Sequence, residues 1–411
     1  MPTIRNFFQS SAPPEYRANF IHLYLDIGWF GVLSGSAINF LNVYAARLGA
    51  TAFQIGLLAA VTGVVNLLFA IPAGHWLERL HVGRAVFWTS VFYRLGYAMW
   101  IPLPWLFSEQ EQVWALIFIT LYMGIPLAAL SVGFNALFAA AVPEDWRAHV
   151  AGRRNVVLSV AFMLTSLLSG YLLEHLPFPM NYQIIFGIGF IGAAMSSLHL
   201  YFVRPLQADS PAPYPGPAAG SRDWRAAIRL DVWKTPFRRP LLVLLGFHLT
   251  QYLALPLFSL YFVRGLRLTD DEIGVGTALF YLTVLIGSTQ LHRIVRRLGH
   301  KNVTAAGAVS MALYPILLAL SSQVWQYYGI SILGGFVWAM VGGAYANYLL
   351  ENTPADDRPS HLAWYNVVLN AAVLIGSLAG PALAGQIGLA AALILFGVLR
   401  LLTGLAILKW G

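Results

Sequence analysis

About a dozen stretches of some 20 mostly apolar residues, separated by short polar breaks, fill this chain of 411 residues from end to end. A run of that length lets an α-helix cross a hydrocarbon core ~30 Å thick at ~1.5 Å per residue. Twelve such runs cannot all be hidden inside a water-soluble fold. Composition agrees: 58% of residues are hydrophobic and 10% charged, against about 25% charged in soluble chains. The expectation is an all-α integral membrane protein. Its spans lie near 19–46, 53–76, 83–107, 112–141, 155–174, 182–203, 241–263, 272–293, 303–321, 325–350, 363–386 and 389–409.

The net charge of +8 does not point to nucleic acid, because the basic residues are distributed as membrane topology requires. With the N-terminus inside, Arg79, Arg84, Arg147, Arg153, Arg154, Arg293, Arg296, Arg297, Lys301, Arg358, Lys409 and the cluster from Arg204 to Arg239 are cytoplasmic. The outer loops hold only Arg47, Arg264 and Arg267. Both termini are therefore expected in the cytoplasm of a cell whose inner (plasma) membrane holds the protein. The polar N-terminal stretch has no apolar core followed by a small-residue cleavage site, so no cleaved signal peptide is expected.

Cysteine is absent, which excludes disulfides, thiolate chemistry and cysteine metal sites. There is no Gly-Lys-Ser/Thr phosphate loop, no paired-histidine metal motif and no Gly-x-Ser-x-Gly elbow. An enzyme, a bound metal and a resident cofactor are accordingly not expected.

The longest polar break, 206–240, divides the chain into 1–205 and 241–411. It begins as a Pro/Ala/Gly-rich linker and continues with Trp224, Ile228 and Trp233 among arginines, a pattern that predicts an interfacial amphipathic helix. The two halves resemble each other. Pro143, Asp145, Arg147 and Asn155-Val156-Val157-Leu158 match Pro354, Asp356, Arg358 and Asn366-Val367-Val368-Leu369, and Ser166 falls on Ser377. Earlier in each half, Tyr44, Arg47, Thr51 and Ile55-Gly56 match Tyr261, Arg264, Thr269 and Ile273-Gly274. Thr51 with Gln54, and Thr269 with Glu272, are spaced as capping boxes. Two matched stretches in the same order argue for an internal repeat. Parallel repeats about a linker are a transporter architecture, with substrate held between the halves.

Between the second and third spans the chain carries Gly74, Glu78, Arg79, Gly83 and Arg84, with a looser copy in Gly287, Arg293, Arg297, Gly299 and Lys301. In this the sequence resembles the major facilitator superfamily (MFS), nearly from end to end. The resemblance implies two six-helix bundles related by a pseudo-two-fold axis, alternating access, action as a monomer, and a cytoplasmic gate formed by those loop residues with Arg147. The chain departs from the superfamily's proton-driven drug exporters. Its loop acid is Glu78 rather than Asp, no arginine lies between Ile119 and Val142, and the Gly-Pro run sits in the eleventh span at Gly376, Gly380, Pro381 and Gly385.

Asp26 is the one acid well inside a predicted span, where an unpaired ion costs roughly 2.5–3.5 kcal/mol on insertion scales. It is the candidate for proton coupling, with His22 one turn earlier on the same face and Trp29 following. The alternative is a structural carboxylate that accepts backbone hydrogen bonds or forms a static ion pair, for which Arg94, the cation deepest in the first half, is a candidate partner. Arg94 and Arg400 read as structural. The resemblance places the first, fourth, seventh and tenth spans around the cavity. Substrate-binding candidates are Trp29, Asn135, His248, Gln251, Tyr252, Trp338, Tyr345 and Asn370. The expected function is secondary active transport of a small organic solute, neutral or weakly cationic, coupled to protons. An uncoupled facilitator and a lipid or lysolipid flippase of the same fold are the alternatives, and a non-transporting membrane receptor or enzyme is a third.

Overall fold

The computed structural model describes residues 14–77, 80–206, 229–354 and 356–411, and among these every regular element is helical. Helix α1 runs Pro14–Leu33, passes through a π turn at Ser34–Ile38 and continues as Asn39–Arg47. It is followed by α2 (Ala52–Leu77), α3 (Val82–Trp100), α4 (Glu109–Ala141), α5 (Glu144–His175) and α6 (Met180–Phe202). The second half opens with α7 (Arg238–Leu260), which ends in a π turn at Tyr261–Gly265. One helical stretch, Asp270–Met311, continues after Ala312 as Leu313–Leu320. It breaks at Gly299, whose φ of 77° is open to glycine at little cost. We label the parts before and after that break α8 and α9. Then come α10 (Val324–Glu351), α11 (Arg358–Ile387) and α12 (Leu389–Trp410).

Ten stretches among the described residues are long and apolar enough to span a membrane. One of them, Asp270–Leu320, has 51 residues, ~76 Å of helix, and so crosses a ~30 Å core twice. With the less apolar α3, the total is the expected twelve. The 33 residues of α4 are ~50 Å long and require tilt or projection beyond the core.

Both expected capping boxes form. Gln54 N–H donates to Thr51 Oγ1 at 3.2 Å and Thr51 N–H to Gln54 Oε1 at 2.8 Å. The Thr269/Glu272 pair repeats this at 3.2 and 2.9 Å. Each box satisfies helix-start donors that otherwise lack partners.

Three local expectations change. First, α5 begins at Glu144, far earlier than the apolar run at 155–174 suggested. Acids in its first turn favour that start through the helix dipole. Arg153 and Arg154 therefore lie on a helix, and Arg154 is buried. Second, α8 continues to the break at Gly299, so Arg293 and Arg297 are helical rather than loop residues. Third, Trp224 and Ile228 fall outside the described residues, and Trp233 belongs to a 3₁₀ turn, Leu230–Lys234. That turn is packed on protein. Val232 is fully buried against Phe237 and Leu241, and Trp233 meets the edge of Trp364 at 5.4 Å.

Helices α1–α6 pack among themselves, as do α7–α12, and the two bundles meet chiefly where α2 lies on α11 and α5 on α8. The repeat shapes both seams. A Cβ on Gly274 would sit 2.8 Å from the Ser166 carbonyl oxygen, and one on Gly56 would collide with the Ser377 carbonyl oxygen. Gly56 corresponds to Gly274 and Ser166 to Ser377, so the same pairing occurs once in each seam. Glycine at these positions lets backbones approach as side-chain-bearing residues cannot.

Candidate functional site

Asp26 on α1 is nearly inaccessible, and donors surround its carboxylate. Ser196 on α6 donates to Oδ1 at 2.5 Å. Arg154 on α5 donates to Oδ2 at 3.2 Å, and the Arg94 guanidinium of α3 lies 3.9 Å from Oδ1. Arg94 also donates to Ser197 at 2.8 Å, and Ser197 receives a further hydrogen bond from Ser90 at 2.9 Å. Arg154 lies 4.4 Å from the centroid of Phe134 and 5.7 Å from that of Phe138, both on α4. One carboxylate thus faces two guanidiniums. Arg154 Nη1 and Arg94 Nε have no hydrogen-bond partner among the described residues. Two guanidiniums against one carboxylate leave the cluster with a cationic surplus.

His22 does not join this network. Its Nδ1 is 3.1 Å from Nδ1 of His199, and its ring stacks on Phe202 at 5.1 Å. One Nδ1 must donate and the other accept, so the two rings share a single proton between these atoms. Trp29 is half-buried further along α1.

In the second bundle, His248 Nε2 lies 2.9 Å from the Tyr365 hydroxyl, and Tyr345 presents its ring to His248 edge-on at 5.6 Å. Gln251 is drawn instead toward α12, where Arg400 donates to it at 3.4 Å while lying 5.2 Å from the Phe247 centroid. Tyr252 packs its Cβ toward Gly376 of α11. Trp338 is half-buried on α10, and Asn135 is exposed on α4. Asn370 bridges the bundles, accepting from Asn66 of α2 at 3.1 Å and donating to the Asn366 carbonyl at 2.8 Å. The substrate-binding candidates therefore fall into two groups. His248 and Tyr345 share one cluster, with Tyr252 beside it, whereas Gln251, Trp29, Asn135, Trp338 and Asn370 stand apart.

The loop expected to gate the cytoplasmic side is described only in part. Glu78 and Arg79 lie outside the described residues, Gly74 is within α2, Gly83 is half-buried at the start of α3 and Arg84 is exposed. Arg147 caps a helix. It donates to the carbonyls of Ala139 at 2.8 Å and Val142 at 3.2 Å, the otherwise unpaired acceptors at the end of α4.

At the face away from the termini, two repeat-related arginines cross between bundles. Arg47, at the end of α1, donates to the Leu268 carbonyl at 2.6 Å, and Arg264, at the end of α7, donates to the Ala50 carbonyl at 2.5 Å. Arg47 adds an ion pair with Asp270 at 3.0 Å, and Tyr182 of α6 donates to the same carboxylate at 2.9 Å. Deeper in, Phe162 of α5 stacks on Tyr281 of α8 at 3.9 Å, and Ser166 reaches the Gly274 carbonyl at 3.3 Å. These contacts close that face.

Sequence reasoning did not anticipate Arg154, Ser196, Asn66, Tyr365 or the Arg47–Asp270–Tyr182 group. Arg154 had a signal, because Pro143 followed by Glu144 and Asp145 reads as a helix start. The crossing arginines had one too, since Arg47 and Arg264 are both outer-face exceptions and matched members of the repeat.

Comparison with known proteins bears on this architecture. Residues 24–263 and 241–411 each match the sequence profile of the Major Facilitator Superfamily. The chain is 28% identical over 143 residues to the class B tetracycline resistance protein of Escherichia coli, a match spanning 34% of either protein. It is 22% identical over 285 residues, 65% of each protein, to the cis,cis-muconate transport protein of Acinetobacter baylyi. Among solved structures, a bacterial homologue of the iron transporter ferroportin, in an inward-facing state, superposes with a TM-score of 0.74 at 15% identity, covering 98% of this chain and 99% of that one. The nucleoside transporter NupG superposes at 0.67 with 12% identity, covering 97% and 99%. Profile matches across both halves, and two bundles that meet through α2–α11 and α5–α8, place the chain in the Major Facilitator Superfamily as a multi-pass membrane transporter.

Proposed function

We propose that the protein is a proton-coupled secondary transporter for a small organic solute, working as a monomer in the inner (plasma) membrane with both termini cytoplasmic. The moving bodies are 1–205 and 241–411, rocking about a site between them. The asymmetry of basic residues supports the orientation. In that orientation the crossed arginines are an outer gate in its closed state, and the conformation is inward-facing.

The observation that carries the coupling is the arrangement at Asp26: a single buried carboxylate whose oxygens engage donors from three other helices. A proton on Asp26 displaces one donor and leaves two guanidiniums without a counter-charge. An anionic group on the substrate then becomes the favoured partner for Arg154, so proton and solute bind in support of each other. Linkage of this kind is reciprocal: whatever proton binding adds to solute affinity, solute adds to proton affinity. The cationic surplus moves the expected substrate from neutral or weakly cationic to anionic. The muconate transporter among the relatives is in keeping with that class. His22, paired with His199 near the termini, is in this reading a station on the proton's path.

The test is proton flux in proteoliposomes carrying a pH-sensitive dye, challenged with aromatic carboxylates, sugars, amphiphilic cations and lysolipids. A carboxylate-triggered flux that is absent in Asp26→Asn is the expected result. Equilibration of a labelled solute without any proton movement would instead make the protein an uncoupled facilitator, and activity confined to lysolipids would make it a flippase.

A further inference from the structure

Helices α2, α3 and α4 enclose a groove of about 950 Å³ that no step above employs, within the roughly 300–1,000 Å³ typical of ligand clefts. Small buried side chains, Ala73, Ala85 and Ala129, form its floor. Trp76, Trp88, Phe92 and Tyr122 form its walls and are all about half exposed. The Thr89 hydroxyl on the floor is bonded to the Ala85 carbonyl at 2.7 Å, so it offers no unpaired polar group. The interior is hydrocarbon-like, and a polar solute would lose its hydration there without compensation.

The mouth is different. His81 and Arg84 lie there, both exposed, at the end of α3 on the termini side. From Arg84 to Phe92 the groove follows α3 for ~12 Å, close to the thickness of one leaflet of a ~30 Å core. A cationic mouth at the membrane surface above an apolar slot one leaflet deep fits an amphiphile with an anionic head and an acyl tail.

We propose that this groove is a binding site for an anionic phospholipid of the termini-side leaflet. Its phosphate meets Arg84 and His81, and one acyl chain lies along Trp88 and Phe92 over the alanine floor. Arg84 supplies head-group selectivity and the aromatic walls supply retention. A juxtamembrane basic residue favours anionic lipid about fivefold. The site is separate from the cavity between bundles, so the proposal stands whatever solute is transported.

Native mass spectrometry of the full-length protein in mild detergent, titrated with phosphatidylglycerol and phosphatidylcholine of the same chains, tests it. Wild type is expected to retain phosphatidylglycerol preferentially, Arg84→Gln to lower that preference about fivefold, and Ala129→Trp, which fills the floor, to lose both lipids. Because Ala129→Trp alters a buried position, the conservative Trp88→Phe provides a second reading. Chain-brominated phosphatidylglycerol should quench wild-type tryptophan fluorescence more than it quenches Trp88→Phe. Equal retention of the two lipids by wild type, or equal quenching in wild type and Trp88→Phe, overturns the proposal. So does occupation of the groove by an apolar helix from another membrane protein.

Discussion

Asp26 is held by three groups that do different work. Ser196 positions one oxygen, Arg154 pairs with the other, and Arg94 contributes charge from 3.9 Å while its own hydrogen bond goes to Ser197. Removing any of them has a distinguishable effect. Arg154→Ala leaves Arg94 as the carboxylate's one guanidinium beside the Ser196 hydroxyl, and the loss of one charged hydrogen bond is expected to lower stability by about 1.5–3 kcal/mol. A fall in the unfolding midpoint measured in detergent checks this. Ser196→Ala removes a single donor to a charged group, about 1.5–3 kcal/mol, and should perturb the proton flux more than the fold. An unchanged flux in Ser196→Ala would argue that Asp26 is purely structural. Arg147 makes the opposite case, because its guanidinium caps α4. Arg147→Ala should cost about 1 kcal/mol of stability and leave transport nearly intact.

At the scale of elements, the seams between bundles depend on backbone proximity. Gly56 and Gly274 each face a carbonyl oxygen of the opposite bundle, so a β-branched side chain at either forces the seam apart. Gly274→Val is expected to weaken closure of the face away from the termini and slow transport while the bundles themselves fold, as retained helicity with reduced solute flux would show. The same change at Gly56 should act alike, since the repeat gives it the same neighbour. The end of the linker is fixed more simply. Arg229 donates to Asp231 at 2.9 Å and to Asp357 at 2.7 Å, and Trp364 donates to the Arg229 carbonyl at 3.0 Å. The hydrogen bond from Arg229 holds the Asp231 carboxyl below its ordinary value. Such a group supports the folded arrangement above the ordinary aspartate range, and that support is lost only as pH falls through the lowered value. Amide exchange over 230–234 should therefore keep the same protection from neutral pH to just above the ordinary aspartate value of 3.8 and rise in more acidic solution.

For the whole molecule the decisive contacts are the crossed arginines. Each anchors its own bundle to a carbonyl of the other, and Asp270 adds charge on one side only. Charged hydrogen bonds of this kind contribute about 1.5–3 kcal/mol apiece, enough to change an open–closed equilibrium about tenfold or more. The chain has no cysteine, so a single reporter such as Asn39→Cys, beneath the closed face, can be installed directly. In the Arg47→Ala/Arg264→Ala background, which removes both contacts, its modification by a membrane-impermeant thiol reagent should accelerate about a hundredfold or more. An unchanged rate would mean that the two glycine seams, and not the arginines, set the closed state.

The linear sequence by itself determined the solvent, the number of spans, the division into halves and the repeat. Each of these is a property of local pattern: apolar run length, charge placement, and paired residues at a nearly constant offset. Capping boxes at Thr51 and Thr269 were equally legible, because both partners lie within one helical turn. Arg154 shows where local pattern stops. Two adjacent arginines beside an apolar run look like a helix end, and only the packing of α1 against α5 and α6 reveals that one of them is buried on Asp26. Gln251 reads as a pocket residue from its position on α7, yet Arg400, midway along the chain's final apolar run, claims it. Which carbonyl Arg47 reaches, and which asparagine faces Asn370, depend likewise on helices hundreds of residues apart meeting at a particular rotation. Composition and periodicity select the membrane and the helices. The partners of a buried charge are selected by the three-dimensional packing, because an ion removed from water takes whatever donors the neighbouring helices bring within reach.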